Sequence, residues 1–456
     1  MATTIPSFFR AYDVRGLYGS DITEDVAYRI GKSICEYLGG EGNSIIVARD
    51  TRTGSDTLAS SLKSGITESG CSVVDVGRLP SPLLYYSASE LKSSAGIIVT
   101  ASHLPPEWNG FKFCDKLGQV ISEGYGLEKI ANIYINNKFG VHNSGDIVAY
   151  THILDDYYAT AKTLIRGINN SLKVTVDTSN SVPSLAIPYI FKKFGIQSNF
   201  INDMILDYPI HELEPGLDSM KMLSEEVRNN GSDLGLIYDS DGDRVALVDE
   251  KGNIYPDGVT LIALFSLIYA EKYSEGSIVL DVTCPTSLLR FIEKLGFRIL
   301  LSRVGHNFCS SKALKNNSLF AAQFSGHISL KESLYRDDAI FASLKLIEFV
   351  SNLKVSLSDY IAKHIPSFFY ETTQIQVMDS IKFKIMKELL IILKQKEADI
   401  LDIDGIKVMR ENGSFLIRAS NTSSIIRIMA EGDTLEDVKT MMSIAKEELR
   451  NVMSFD

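Results

Sequence analysis

Asp239, Asp241 and Asp243 alternate in the run Asp239-Ser240-Asp241-Gly242-Asp243-Arg244, so an extended or looped backbone lets three carboxylates converge. Like charges held together repel, and a hard divalent cation that prefers oxygen ligands relieves the repulsion. Far upstream, Thr100-Ala101-Ser102-His103 offers a serine hydroxyl on a polar loop stiffened by Pro105-Pro106. Trp108-Asn109-Gly110 makes a second turn and Lys112 follows, able to reach an anion. A serine beside a divalent cation is suited to carry a phosphoryl group, because the metal offsets charge during transfer. A third segment, Arg418-Ala419-Ser420-Asn421-Thr422-Ser423-Ser424 with Arg427, sets two arginines around short hydroxyl and amide side chains. Guanidinium forks, hydroxyls and backbone N–H groups are the donors that hold a phosphate. Together the segments point to phosphoryl transfer through a phosphoserine.

Other readings fit less well. Glu250 falls at the twelfth position counted from Asp239, as in a calcium loop, but Arg244 occupies the sixth, where that loop needs glycine for its sharp turn. A merely solvated acidic turn is disfavoured because apolar runs, Leu234 to Tyr238 and Val245 to Val248, bracket the aspartates. Ser102 and His103 are adjacent, and adjacent side chains usually diverge, so a Ser-His nucleophilic pair is not expected; no G-x-S-x-G elbow is present. Gly31-Lys32-Ser33 resembles the end of a P-loop but lacks its first glycine and reads as helix interior. Arg303-Val304-Gly305-His306 and Ser325-Gly326-His327 are two further glycine-hinged loops, each with a histidine.

These loops need rigid supports, and short apolar runs alternate with helical patterns to supply them. The runs at 44–48, 72–76 and 95–100 read as strands, with a helix over 55–69 between the first two. This β-α-β rhythm argues for mostly parallel sheets covered by helices, with Ser102 delivered to a strand end. The rhythm restarts at 172–177, where the strand 233–238 leads into the aspartates, and again at 276–281, followed by a helix over 287–295 and a strand over 298–301. From about Ser367 the pattern changes to a long helix over 381–394, two strand-like runs ending at Ile417, a polar loop and a terminal helix from Thr434. The expected architecture is α/β: three similar mixed-sheet α/β domains over 1–148, 149–251 and 252–366, and a smaller α+β C-terminal domain over 367–456.

Composition narrows the function classes. The chain has 456 residues, 45% hydrophobic and 23% charged, with 46 basic and 57 acidic residues and a net charge of -11. That balance argues against a general binder of nucleic acid or anionic membranes. No secretory signal is read at the N-terminus, and the apolar run 259–270 is too short to span a bilayer and reads as a buried helix. Cys35, Cys71, Cys114, Cys284 and Cys309 are scattered and odd in number, which reads as reduced thiols of a cytoplasmic protein.

In this order the motifs resemble those of the α-D-phosphohexomutase superfamily, which includes phosphomannomutase/phosphoglucomutase and phosphoglucosamine mutase. Phe9-Arg10-Ala11-Tyr12-Asp13-Val14-Arg15-Gly16 looks like its opening segment, and Thr100 to His103 with Asn109-Gly110-Phe111-Lys112 like its phosphoserine loop. Asp239 to Arg244 looks like its magnesium loop, Val304-Gly305-His306 and Ser325-Gly326-His327 like its sugar loops, and Arg418 to Thr422 like its phosphate loop. The resemblance implies four domains around a central cleft and a phosphohexose substrate, with hexose 1,6-bisphosphate as activator. Phosphorylated Ser102 would give its phosphoryl to a hexose phosphate, and the bisphosphorylated sugar would turn over and return the other phosphoryl. Mg²⁺ would be held by Asp239, Asp241, Asp243 and Ser102. Arg10, His103, Lys112 and Arg244 would surround the reacting end, with Lys112, His103 or His327 helping proton transfer. Arg303, Gly305, His306, Gln323, Ser325 and His327 would meet the sugar, and Arg418, Ser420, Asn421, Thr422 and Arg427 the non-reacting phosphate.

The departures sit mostly in recognition. Leu104 stands where the family usually has Asn, Trp108 for Tyr, Arg303 for a frequent Lys, and Ser424 for a frequent Pro. The sugar loop, usually Gly-Glu-x-Ser-Gly-His, here reads Ala322-Gln323-Phe324-Ser325-Gly326-His327. Gln323 still accepts a hydrogen bond but carries no charge. The expected activity is interconversion of hexose 1- and 6-phosphates of mannose and/or glucose. The alternatives are a phosphoglucosamine mutase, a non-catalytic sugar-phosphate-binding paralogue, or a metal-dependent phosphatase.

Overall fold

Runs rich in Ile and Val become strands, and each polar run after them becomes a loop at a sheet edge. In the computed structural model, residues 5–140, 143–420 and 424–453 are described. The first sheet comprises β1 (Val14–Leu17), β2 (Ser44–Arg49), β3 (Ser72–Arg78), β4 (Ala95–Val99), β5 (Trp108–Asp115) and β6 (Ile147–Ala149), in the order β1-β5-β4-β2-β3-β6. β5 runs antiparallel to β1 and β4, and the other pairs are parallel. α1 (Glu24–Leu38) and α2 (Ser55–Glu68) pack together and cover a core that includes Ile30, Ile34, Leu58, Leu62, Val47 and Ile97. Gly31-Lys32-Ser33 is interior to α1, as its spacing required. α3 (Ser81–Glu90) begins with Pro82 in its first turn, where the missing N–H costs nothing.

The second sheet orders β7 (Lys173–Asp177), β8 (Gln197–Ile201), β9 (Leu234–Tyr238), β10 (Val245–Asp249) and β11 (Ile254–Tyr255) as β11-β10-β9-β7-β8. β7, β8 and β9 are parallel, and β10 returns antiparallel to β9, so the aspartates form the β9–β10 turn. Glu250 accepts hydrogen bonds from Ser358 and takes no part in a twelve-residue cation loop. By contact density, residues 1–261 and 325–361 form one compact unit, and 262–324 with 362–456 a second.

In the second unit β12 (Gly276–Asp281) pairs in parallel with β13 (Phe297–Ser302) and β14 (Phe320–Ala322). β15 (Ile328–Leu330) belongs to the first unit. The C-terminal sheet is wholly antiparallel, in the order β16 (Phe369–Gln376), β20 (Ile425–Gly432), β19 (Gly413–Ala419), β18 (Ile406–Arg410) and β17 (Ile400–Leu401). Helices Asp379–Lys396 and Leu435–Met453 bury Leu389, Leu393, Met442 and Leu449 against it. The expected α/β class with a smaller α+β C-terminal domain is therefore the observed one. The run 259–270 is the helix Gly258–Ala270, and no helix among the described residues is long and apolar enough to cross a membrane.

The cysteine expectation needs correction. Cys35 and Cys71 form a disulfide, with Cα atoms 5.9 Å apart, while Cys114, Cys284 and Cys309 are buried and outside it. The two lie 36 residues apart in the chain and meet because α1 lies against α2, whose end leads directly to Cys71. Spacing alone carries no trace of that packing, and the scatter of cysteines is no argument for reduced thiols here.

Candidate active site

Ser102 lies three residues past the end of β4, in a left-handed backbone conformation with φ of 53°. Only a few per cent of non-glycine residues adopt positive φ, and they cluster at functional sites. Its N–H donates to Thr100 Oγ1 at 3.0 Å. Contrary to expectation, the two adjacent side chains meet: Ser102 Oγ is 3.3 Å from His103 Nδ1. The left-handed turn at Ser102 brings them to the same side. Arg244 Nη2, which can only donate, lies 3.0 Å from the same Nδ1, so that nitrogen is an acceptor and the ring proton sits on Nε2. Burial, reinforced by Arg244 and Arg15, holds the His103 pKa well below its ordinary value.

The aspartate turn is built by its own side chains. Asp239 Oδ1 accepts from the N–H groups of Asp243 and Arg244, each at 3.1 Å, and Gly242 N–H donates to the Asp239 carbonyl at 3.1 Å. Gly242 has φ of +74°, and a Cβ there would lie 3.2 Å from Pro80 and 3.3 Å from Pro183. Ser81, at the start of α3, donates through Oγ to Asp241 Oδ2 at 2.5 Å. Lys112 Nζ sits 2.6 Å from both Asp241 Oδ2 and Asp243 Oδ2, so the lysine expected to reach an anion first meets the carboxylates.

One ligand oxygen from each of Asp239, Asp241 and Asp243 can be chosen so that all lie within 4.8 Å of one another. All three residues are fully buried, and Asp239 Oδ2 and Asp241 Oδ1 receive no hydrogen bond. Burial, with Asp243 and Asp241 adding to it, drives the Asp239 pKa well above the carboxylate range. Burial and Asp243 act the same way on Asp241, but Lys112 and Ser81 outweigh them and lower it. Burial alone would lower the Lys112 pKa; Asp241 and Asp243 hold it well above its usual value. A cluster with unfilled acceptors, whose full ionisation Lys112 does not balance, fits a hard divalent cation.

Arg244 joins this turn to the loop of Ser325-Gly326-His327. Its Nε donates to His327 Nε2 at 2.9 Å, and Nη1 pairs with Glu214 Oε1 at 2.5 Å. His327 Nδ1 donates to Asp337 Oδ2 at 2.5 Å, which fixes the neutral tautomer; burial lowers its pKa to about 3. Gly326 has φ of +91°, and a Cβ would come within 2.9 Å of the Val245 carbonyl, so the loop carrying Ser325 and His327 approaches β10 only with glycine. Arg10 is tied by its N–H to the Asp13 carbonyl at 2.8 Å, and Arg15 Nε donates to Asp13 Oδ2 at 2.7 Å. Sequence reasoning singled out neither Arg15, Ser81, Glu214 nor Asp337; Arg15 alone had a signal, its place in the same opening segment as Arg10.

The second unit holds the remaining candidates. Gly305 precedes the helix His306–Asn316, and Arg303 stacks its guanidinium 4.5 Å above the Phe308 ring. Gln323 is buried just past β14. Arg418 Nε pairs with Asp404 Oδ1 at 3.0 Å, and Asp404 Oδ2 accepts from Val304 N–H at 2.9 Å, so one unforeseen carboxylate links the end of β19 to the loop before His306. Arg427 is the cross-strand partner of Arg418. The Ser420 carbonyl accepts from Lys382 Nζ at 2.6 Å. Asn421 and Thr422 lie outside the described residues.

Four family models match in order: phosphoglucomutase/phosphomannomutase α/β/α domain I over 6–140, domain II over 155–252, domain III over 256–368, and the C-terminal domain over 373–447. The chain belongs to the phosphoglucomutase/phosphomannomutase family and is a phosphohexomutase. It is 32% identical over 461 residues to a Pseudomonas aeruginosa phosphomannomutase/phosphoglucomutase, covering 99% of this chain and 98% of the relative. It is 29% identical to a probable phosphoglucosamine mutase of Pyrococcus furiosus, covering 96% of each chain. The crystal structure of a phosphoglucomutase/phosphomannomutase family protein from Burkholderia thailandensis superposes with a TM-score of 0.89 at 26% identity, covering 98% of each chain. The activity is therefore the interconversion of hexose 1-phosphate and hexose 6-phosphate.

Proposed function

We propose that the sugar is mannose and/or glucose, and that Ser102 is the phosphoryl carrier. The supporting observation is the left-handed Ser102, its hydroxyl 3.3 Å from an imidazole nitrogen that burial keeps unprotonated. Charged by hexose 1,6-bisphosphate, phosphorylated Ser102 yields its phosphoryl to the free hydroxyl of a bound hexose phosphate. The Ser102 O–P bond breaks, a sugar O–P bond forms, and the proton of the sugar hydroxyl leaves as the serine oxygen regains one. In the return step the other sugar O–P bond breaks as the Ser102 oxygen takes that phosphoryl; the Ser102 hydroxyl proton leaves toward His103 Nδ1, 3.3 Å away, and the departing sugar oxygen takes up a proton to become a hydroxyl. Lys112, Arg244 and Arg10 neutralise charge around the moving group.

Asp239, Asp241 and Asp243, with the Ser102 phosphoryl oxygens, are the residues that would hold Mg²⁺, which supplies charge neutralisation during transfer. Arg303, Gly305, His306, Gln323, Ser325 and His327 meet the sugar. Arg418, Ser420, Asn421, Thr422 and Arg427 hold the phosphate that is not reacting. The four domains divide near 148, 251 and 366, so carrier, metal, sugar and phosphate functions fall to successive domains.

The test is a coupled assay with Mg²⁺ and catalytic glucose 1,6-bisphosphate, comparing mannose, glucose and glucosamine 1-phosphates. Faster conversion of mannose or glucose 1-phosphate is expected. Preferred conversion of glucosamine 1-phosphate would replace the proposed sugar, and free phosphate release without isomerisation would overturn the phosphoserine cycle.

A further inference from the structure

Arg52 belongs to none of the segments that contain the chemistry, yet it is the most heavily engaged side chain behind them. It sits in the bend after β2, and its side chain is only 8% exposed. Its own carboxylate neighbour fixes it: Asp50 Oδ2 lies 3.3 Å from Arg52 Nε, and Asp50 Oδ1 accepts from Arg52 N–H at 3.0 Å. Asp50 is fixed in turn by Ser55 Oγ at 2.5 Å, and Ser55 by Asn109 Nδ2 at 3.0 Å. The two terminal nitrogens of the guanidinium then donate to backbone carbonyls and one hydroxyl. Nη1 donates to the carbonyls of Pro105 at 2.8 Å and Trp108 at 3.2 Å. Nη2 donates to the carbonyl of Leu104 at 2.7 Å, to that of Ser102, and to Ser240 Oγ at 3.3 Å. Ser240, which lies between two of the clustered aspartates, donates its own proton to the same Ser102 carbonyl.

From this geometry we infer that Arg52 and Ser240 are positioning residues for phosphoryl transfer: together they clamp the Ser102 carbonyl, hold the serine in its left-handed turn, and tie the serine loop to the aspartate loop. A planar fork with five donors is the one side chain that gathers so many carbonyls at once, and lysine, a point charge with three donors, does not reproduce the fan. The clamp reads backbone, so its contact at position 104 does not depend on which side chain stands there. Neither residue touches a reacting atom. Their contribution is to the angle and distance of Ser102 Oγ.

The experiment is Arg52→Lys and Arg52→Ala in the full chain, assayed with glucose 1-phosphate for kcat and KM, with thermal midpoints and the rate of Ser102 phosphorylation by glucose 1,6-bisphosphate read by intact mass. A misplaced nucleophile predicts that kcat and the phosphorylation rate both fall about 10²-fold in protein that is still folded at the assay temperature, with KM held within about twofold and a thermal midpoint lowered by the unpaired Asp50 and carbonyls. Added guanidinium should restore part of the loss in Arg52→Ala and none in Ser102→Ala. An unchanged kcat, a rise in KM alone, or a loss fully matched by loss of folded protein would each overturn the inference. If both Arg52 variants fail to fold, Ser240→Ala takes the same test: a severalfold fall in kcat at constant KM supports the clamp, and wild-type kcat removes it.

Discussion

The cluster around Ser102 and the recognition segments of the second unit are built on different principles. Around Ser102 the side chains serve one another, apart from the aspartate oxygens left for a cation: Lys112 serves two aspartates, Arg244 serves two histidines and Glu214, and Ser81 and Ser240 each bind across loops. All three aspartates are fully buried. In the second unit, one carboxylate, Asp404, holds Arg418 and Val304, and Arg303 rests on an aromatic ring. A buried, interlocked charge network is costly to alter one member at a time, because each change leaves a partner unpaired. The sequence departures follow this division in part: the three aspartates and Ser102 resemble the family pattern, Gln323, Arg303 and Ser424 depart from it, and Leu104 and Trp108 depart from it within the serine loop itself.

The comparison breaks most directly at Ser102. Ser102→Ala should reduce isomerisation on the order of 10³-fold or more, because it removes the group that carries the phosphoryl. Turnover near wild type, measured with both glucose and mannose 1-phosphates, would move the chemistry out of the first unit. Asp241→Asn is next. It leaves Lys112 facing a neutral amide and removes one ligand charge, so kcat should fall about 10²- to 10³-fold. The Mg²⁺ concentration for half-maximal activity should also rise. Chelation should abolish activity and Mg²⁺ restore it in the wild type; activity indifferent to chelation would mean the carboxylates serve Lys112 alone.

Much of this contrast was legible in the chain, and what was missed has a common cause. The aspartates alternate within five residues, and the strands around them, Leu234–Tyr238 and Val245–Asp249, read from apolar runs alone. Strand and helix ends fell within a residue or two wherever the hydrophobic period was clean, as at Gly276–Asp281. The encounter of Ser102 with His103 was not legible, because it depends on a positive φ that serine rarely adopts. Asp337, Glu214, Ser81 and Arg52 were missed because each reaches the site from a distant segment through one side chain, with no spacing to announce it. The Cys35–Cys71 bond was missed for the same reason.

Within the recognition region, Gln323→Glu restores the charge that the family usually places there. A charge-assisted hydrogen bond to a sugar hydroxyl contributes about 1.5–3 kcal/mol, so the ratio of kcat/KM between two hexose phosphates should change by about tenfold or more. Transfer itself should be untouched: the rate of Ser102 phosphorylation by glucose 1,6-bisphosphate should stay within about twofold. An unchanged ratio would show that position 323 has no part in choosing the sugar. A changed phosphorylation rate would show that the two regions are less separable than their wiring implies.

Asp404→Asn should have the smallest effect and gives the sharpest reading of the second unit. Asp404 Oδ1 lies 3.0 Å from Arg418 Nε as an ion pair, and on the proposed reading it orients the guanidinium toward a phosphate. Both side chains are mostly buried, at 10% and 12% exposed, so removing one charge of the pair should also lower thermal stability. Loss of that orientation should raise KM for hexose phosphates about two- to fivefold with kcat nearly constant. The asparagine keeps an acceptor for Val304 N–H, so the sugar loop is not expected to collapse. A fall in KM would mean the opposite arrangement, in which Asp404 competes with the substrate phosphate for Arg418 and the tie between the two loops is a brake instead of a brace.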